Sequence, residues 1–281
     1  YSQRVVRTSR FIRIVLRNIS QTRYSENKET EVIKALLSTV EQLTYTTVFS
    51  EQPHATLDER LLQLHQILCN AEITGGTIAT VNSLLKAMYA VRDKWTVDNW
   101  RIIDEIENVK RKLALLEPQN IRHGFTLLDQ LNLGLLSFLE MNRQSMYRGE
   151  GWIMYRIGQL LEEVSLELVQ YKTLLTSPYE ESAQFQLLEA LLTSNQSLSN
   201  YRSVYRTYFD TAPALDLLFI NKQNPISVLA QLEQLMKYIG ELPSRENTGH
   251  VGEITTLAFE IYSKVRLINI NTLTAVDKHS G

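Results

Sequence analysis

Residues 151–175 read GWIMYRIGQLLEEVSLELVQYKTLL. The stretch holds no proline, and its one internal glycine is Gly158. Ile153, Ile157, Leu160, Val164, Leu168 and Tyr171 recur at helical spacing and fall on one face. At about 100° per residue, a second apolar arc made of Tyr155, Gly158, Leu166 and Val169 lies opposite. Arg156, Gln159, Glu163, Glu167 and Gln170 are left as a narrow stripe for water. A helix apolar on two sides is expected in the middle of a bundle, with neighbours on both. Glu162 falls inside the second arc, where its carboxylate needs a cation or several donors. Burying it alone would cost several kcal/mol.

The totals agree with a helical chain. Its 281 residues are 44% hydrophobic and 21% charged, with only 11 glycines and 6 prolines, which suits long helices better than many short strands. A formal charge of −2 argues against a dedicated nucleic-acid binder, whose affinity comes mostly from neutralising phosphates. Cys69 is the single cysteine, which excludes an internal disulfide and fits a reducing, cytoplasmic compartment. No run of about 18 apolar residues offers a membrane span. There is neither a signal-peptide pattern nor an initiator Met. The periodic pattern is already running at Tyr1, so a start partway along a helix, with sequence missing upstream, is expected.

Outward from the central stretch the same period repeats. Residues 1–19 carry the arc Val5, Thr8, Phe11, Ile12, Val15, Leu16 and Ile19, with Arg7, Arg10, Arg13 and Arg17 opposite as a solvated stripe. Arg4 leaves that stripe and falls among Phe11, Thr8 and Val15, the counterpart of Glu162. Fraying at a cut end and a buried partner role both stay open for it. Helices are expected over 30–48, 78–93, 97–116, 124–147, 181–209, from Asn224-Pro225 to Tyr238, and over 251–270, with a shorter one through Leu61, Leu64 and Leu68. Residues 49–56 read as a loop, 241–247 as a linker and the tail to Gly281 as frayed. Thr74, Gly75, Gly76 and Thr77 read as a turn with a threonine cap, and Thr96 as an N-cap. The fold class is all-α: an antiparallel bundle of about 9–11 helices, with half-bundles near 1–120 and 121–281 forming one domain.

The chain has no GxxxxGK[ST] or GxGxxG loop, no HExxH, no CxxC and no GxSxG elbow. Its five histidines are scattered, so neither a metal site nor a cofactor is expected. Glu162 and Glu163 point to different sides of one helix and make no acid–base couple. Tyr201, Arg202, Tyr205, Arg206 and Tyr208 could stack on bases, but at this spacing packing with snorkelled stems is the more common use.

Three stretches resemble a known family. SMYRGEGWIMYRIGQLLEE (145–163) is similar to the S-M-T-R-D-x-G-W-x-F-x-x-L-G-R-x-L-E-R signature of the Alpha-E family, a bacterial helical domain named for its Glu-Arg motif. VRDKWTVDNWRIID (91–104) resembles its V-R-x-x-L-S-x-D-x-W-x-x-L-N. NYRSVYRTYFDTAPALDLLFINKQNPISV (200–228) resembles Y-x-x-Y-R-R-x-Y followed by L-L-D-x-x-x-P-R-S. The family's earlier Glu-Arg copy, in a W-L-G-R-Y-x-E-R context, falls on Gln3-Arg4. The two copies suggest an internal duplication. This chain departs from the pattern at Gln3, at Glu163 where the family has Arg, at Gly149 and at Ile226.

Each copy thus keeps one half, Arg4 or Glu162, and these two are expected to pair and hold the half-bundles in register. Arg148, Arg92 and Arg202 are alternative partners for Glu162. Thermal melting of Arg4→Met and Glu162→Gln, alone and together, checks the pair. A desolvated pair loses about 3–5 kcal/mol on removal of one partner, whereas additive effects below about 1 kcal/mol reject the pairing.

The resemblance implies a role beside circularly permuted ATP-grasp carboxylate-amine ligases, fused upstream or encoded separately, in a system that makes or attaches small peptides. The first expectation is a non-catalytic interaction or substrate-presenting module working with such a ligase. The second is an enzyme acting on a peptide or amino acid in a polar cleft between the half-bundles, lined by Arg4, Arg148, Glu162 and Arg202, with Arg92, Trp152 and Tyr201 as further candidate cleft residues. The third is a nucleic-acid binder using the helix-1 arginines, which the net charge opposes.

Overall fold

The computed structural model describes residues 1–25, 30–206, 208–243 and 250–270. Among them no residue lies in a strand, and twelve α-helices follow one another in a bundle. The expectation of 9–11 helices is exceeded because 181–209 is not continuous. It divides at Asn195–Ser197, where Gln196 takes a left-handed φ of 53°. A five-residue helix, Thr211–Leu215, adds to the total. The expected tail after residue 270 and most of the expected 241–247 linker lie outside the described residues.

The chain divides into two compact units. One comprises Tyr1–Met146 with Lys172–Leu174, and the other Tyr147–Tyr171 with Leu175–Gly281. The boundary expected near residue 120 falls inside the first unit, between two helices that pack on each other.

The first unit holds α1 (Ser2–Ser25), α2 (Glu31–Thr44), α3 (Leu57–Cys69), α4 (Thr77–Ala90), α5 (Val97–Ala114) and α6 (His123–Ser145). Its middle element is α1, which packs against α2, α3, α4 and α6. Val5, Val6, Phe11, Ile12, Val15, Leu16 and Ile19 are all buried, and Thr8 and Ser9 let neighbours approach closely. Ser9 donates to Asn132 Oδ1 of α6 at 2.6 Å, which satisfies a buried hydroxyl across the helix pair. Val5, Val6, Ile78, Val81, Ile103, Ile106, Leu131 and Leu135 form one core cluster. Each such side chain contributes about 1.5–3 kcal/mol of burial.

The helix starts follow cap chemistry. Thr30 accepts from Ile33 N, and Thr56 and Thr96 form capping boxes with Glu59 and Asn99. The expected threonine cap on α4 is corrected. Gly76 is the N-cap, and Thr77 is buried as the first helical residue. The cause is space, because a Cβ on Gly76 would sit 2.6 Å from Ile67 O and 2.9 Å from Ile73 O. The 49–56 loop is organised by Glu41, whose carboxylate accepts from Phe49 N at 2.6 Å, Ser50 N at 2.8 Å and Ser50 Oγ at 2.5 Å.

The second unit holds α7 (Glu150–Leu175) except for Lys172–Leu174, with α8 (Glu181–Ser194), α9 (Leu198–Tyr205), α10 (Thr211–Leu215), α11 (Val228–Gly240) and α12 (His250–Arg266). A π-helical turn, Asp216–Ile220, continues α10 and packs on α11. The start expected at Asn224-Pro225 is also corrected. Ser227 caps α11 by accepting from Ala230 N. Asn224 is buried instead and ties the preceding turn by donating to Leu217 O at 2.9 Å.

Candidate functional site

The polar groups that converge in the second unit do so around α7. Its buried stripe runs Ile153, Ile157, Leu160, Val164, Glu167, Tyr171 and Leu174. Glu167 lies about 40° from Ile153 at helical pitch, on the same face, and its exposure is 0%. Gln170 is equally buried. Both were expected on the water stripe. Hydrogen-bond partners account for the difference. Gln231 of α11 donates from Nε2 to Glu167 Oε2 at 2.7 Å and to Ile226 O at 2.8 Å. Gln170 Oε1 accepts from Ser194 Oγ at 2.8 Å and from Asn195 Nδ2 at 3.1 Å. Ser194 is the last residue of α8 and Asn195 its C-cap, and Gln196, with a left-handed φ of 53°, follows directly. Protein donors thereby take the place of water at the Glu167 carboxyl and at the Gln170 amide oxygen. A carboxylate shut off in this way organises helices and has no open path to a substrate.

A second cluster sits one turn into α7. Arg148 lies with its guanidinium carbon 3.7 Å from the centre of the Trp152 ring, and Arg156 lies 5.8 Å from the same ring. Arg156 is also 5.7 Å from the Tyr238 ring, and it donates to Gln159 Oε1 at 2.7 Å and Gln234 Oε1 at 3.3 Å.

A third group joins α9 to the π-turn. Tyr205 donates to Asp216 Oδ2, and burial first, then that bond, push its phenol up to about 12. Asp216 also lines a cavity of about 500 Å³ with Ala212, Pro213, Ile220, Ile268, Asn269 and Ile270. Burial likewise pushes the Cys69 thiol up to about 12, which makes it a poor nucleophile. Among the described residues no three His, Cys, Asp or Glu side chains converge as metal ligands, and no helix is long and apolar enough to cross a membrane.

A family model described as a predicted alpha-helical domain with a conserved ER motif, Alpha-E, matches residues 1–280. The chain belongs to the Alpha-E family. Among its curated relatives are the uncharacterized protein Rv2567 of Mycobacterium tuberculosis (strain H37Rv) and an uncharacterized protein of Mycobacterium bovis. Each is 27% identical over 174 residues, covering 60% of this chain and 20% of the relative. The matched segment spans about a fifth of those relatives' length. No solved structure matches the chain significantly.

The positions aligned to the Alpha-E Glu-Arg motif sit as follows. Gln3 is buried on α1, and Arg4 is half-buried with its guanidinium 5.0 Å from the Tyr45 ring. Glu162 is half-buried on α7. Arg4 belongs to the first unit and Glu162 to the second. The arginine stripe of α1 is not uniformly solvated. Arg7 is 6% exposed because α1 is surrounded by other helices, and Arg13 pairs with Asp129 at 2.9 Å.

Of the proposed cleft residues, Arg148 and Trp152 are brought into contact. Tyr201 and Arg202 meet through Phe209, at 5.4 Å and 5.8 Å. Tyr201 is fully buried, and its hydroxyl donates to Tyr208 O at 2.9 Å, which favours packing over base stacking. Arg202 pairs with Glu189, at 3.7 Å. Arg92 lies exposed in a short 3₁₀ turn of the first unit. Sequence reasoning missed Glu167, Gln170, Gln231 and Arg156. The signal for Glu167 was its angle, which its charge overrode.

Proposed function

We propose that this Alpha-E domain is a non-catalytic helical module that binds or presents a substrate for an ATP-grasp peptide ligase. The observation that carries the reading is where polar and apolar groups lie in the second unit. Glu167, Gln170, Ser194, Asn195 and Gln231 converge but are sealed from solvent. Meanwhile α12 turns Ile254, Leu257 and Ile261 outward at 49%, 58% and 43% exposure, one ridge at i, i+3 and i+7. An enzyme needs the opposite arrangement, with polar groups open and apolar ones closed. The mycobacterial relatives support the association with a further domain, since four-fifths of their length lies outside the matched segment. An ATP-dependent partner places the system in the cytoplasm.

Affinity purification of the tagged chain from its native host tests the reading. An ATP-grasp protein or a small peptide should copurify in stoichiometric amount. Recovery of the chain without either overturns it.

The second reading, an enzyme acting on a peptide or amino acid, is favoured by one feature. Tyr205 and Asp216 stand beside a cavity with aliphatic walls.

A further inference from the structure

Arg156 is a half-buried cation whose partners among the described residues are all neutral. Its two hydrogen bonds end on amide oxygens, Gln159 Oε1 and Gln234 Oε1, and its other contacts are the faces of Trp152 and Tyr238. A guanidinium carries five N–H donors, so two acceptors leave it unsaturated. Its Nε is covered and has no acceptor. Buried charge is ordinarily paired, because desolvation without a counter-charge costs several kcal/mol. Among the described residues no carboxylate pairs with Arg156. A second guanidinium, that of exposed Arg148, stacks on the same indole. Cation–π contact partly offsets the charge but supplies no hydrogen-bond acceptor.

We propose that Arg156, held on Trp152 and Tyr238 and assisted by Arg148, is the binding point for an oxyanion, a carboxylate or a phosphoryl group. The chemistry matches. A guanidinium edge takes two oxygens of either group in a fork, and the charge-assisted bonds are about twice as strong as neutral ones. Gln159 and Gln234 each hold one terminal nitrogen, which fixes the guanidinium plane. Arg148 reaches the cluster from the solvent side. The site stands whether or not an ATP-grasp ligase is the partner.

The test uses the full chain, titrated with sodium phosphate and with sodium acetate at constant ionic strength set by chloride. Tryptophan emission is the readout. A saturable change is expected with at least one of the two anions, and Trp152→Phe should abolish it. Arg156→Met should weaken the affinity at least tenfold, and Arg156→Lys, which keeps the charge but loses the fork, should fall between. The preferred anion tells a phosphoryl ligand from a carboxylate. No saturable change with either anion, or an unchanged affinity in folded Arg156→Met, overturns the proposal. If Arg156→Met does not fold by circular dichroism, Arg148→Met replaces it, with a loss of at least threefold expected and an unchanged affinity overturning.

Discussion

Gly75→Ala is expected to destabilise the first unit by more than about 4 kcal/mol, near the top of the range for a single substitution. A Cβ at this position would lie 1.5 Å from the carbonyl oxygen of Thr44 and 2.5 Å from its carbon. These are backbone atoms at the end of α2, so no rotamer change relieves the overlap. The turn before α4 must separate from α2, which would open the packing of both on α1. The backbone dihedrals of Gly75 are not the obstacle, since no glycine has positive φ among the described residues. Gly158→Ala is the control. A Cβ there meets nothing within 4 Å, so helix propensity should raise stability by about 0.5–1 kcal/mol. Thermal and urea melts of the two variants measure both effects. A Gly75→Ala protein melting within a degree or two of wild type would show that the approach of the Gly75 turn to the end of α2 is not tight.

Glu167→Ala is the second large effect, expected at about 3–5 kcal/mol. It opens a cavity in a fully buried stripe and leaves the Gln231 amide without its carboxylate acceptor. Gln231→Leu removes the donor while keeping most of the volume, and should cost about 1–3 kcal/mol through loss of a buried hydrogen bond to the Glu167 carboxyl. Because the two side chains touch, their effects should not add. A double-mutant cycle by urea denaturation should give a coupling of about 1–3 kcal/mol. Additivity within about 0.3 kcal/mol would mean that Gln231 does not support the carboxylate.

These two residues also mark how far the sequence could be read. Periodicity located every long helix, because 3.6-residue spacing of Leu, Ile and Val survives any tertiary context. Thr96 was legible as a cap because its hydroxyl acts locally on Asn99 N. Gly76 was not, since its role comes from Ile67 in another helix. The same holds for Asn224, whose amide serves Leu217 across a turn and not the helix that follows. Glu167 was placed in water by its chemical type, although its angle belonged to the core stripe. A partner far along the chain, Gln231, helps to hold the carboxyl in that position. The candidate cleft fared similarly. Arg148 and Trp152 are neighbours by one helical turn and do meet, while Arg202 turns to Glu189, which no local pattern indicates.

The deciding measurement is peptide turnover and ATP consumption by the purified chain, alone and then mixed with the ATP-grasp protein that copurifies with it. A sealed polar core and an outward apolar ridge predict no turnover by the chain alone, and at least a tenfold rise in the partner's ligation rate when the chain is added. Turnover of a peptide by the chain alone, lost on Tyr205→Phe in a protein of unchanged stability, would contradict this and place the chemistry beside Asp216.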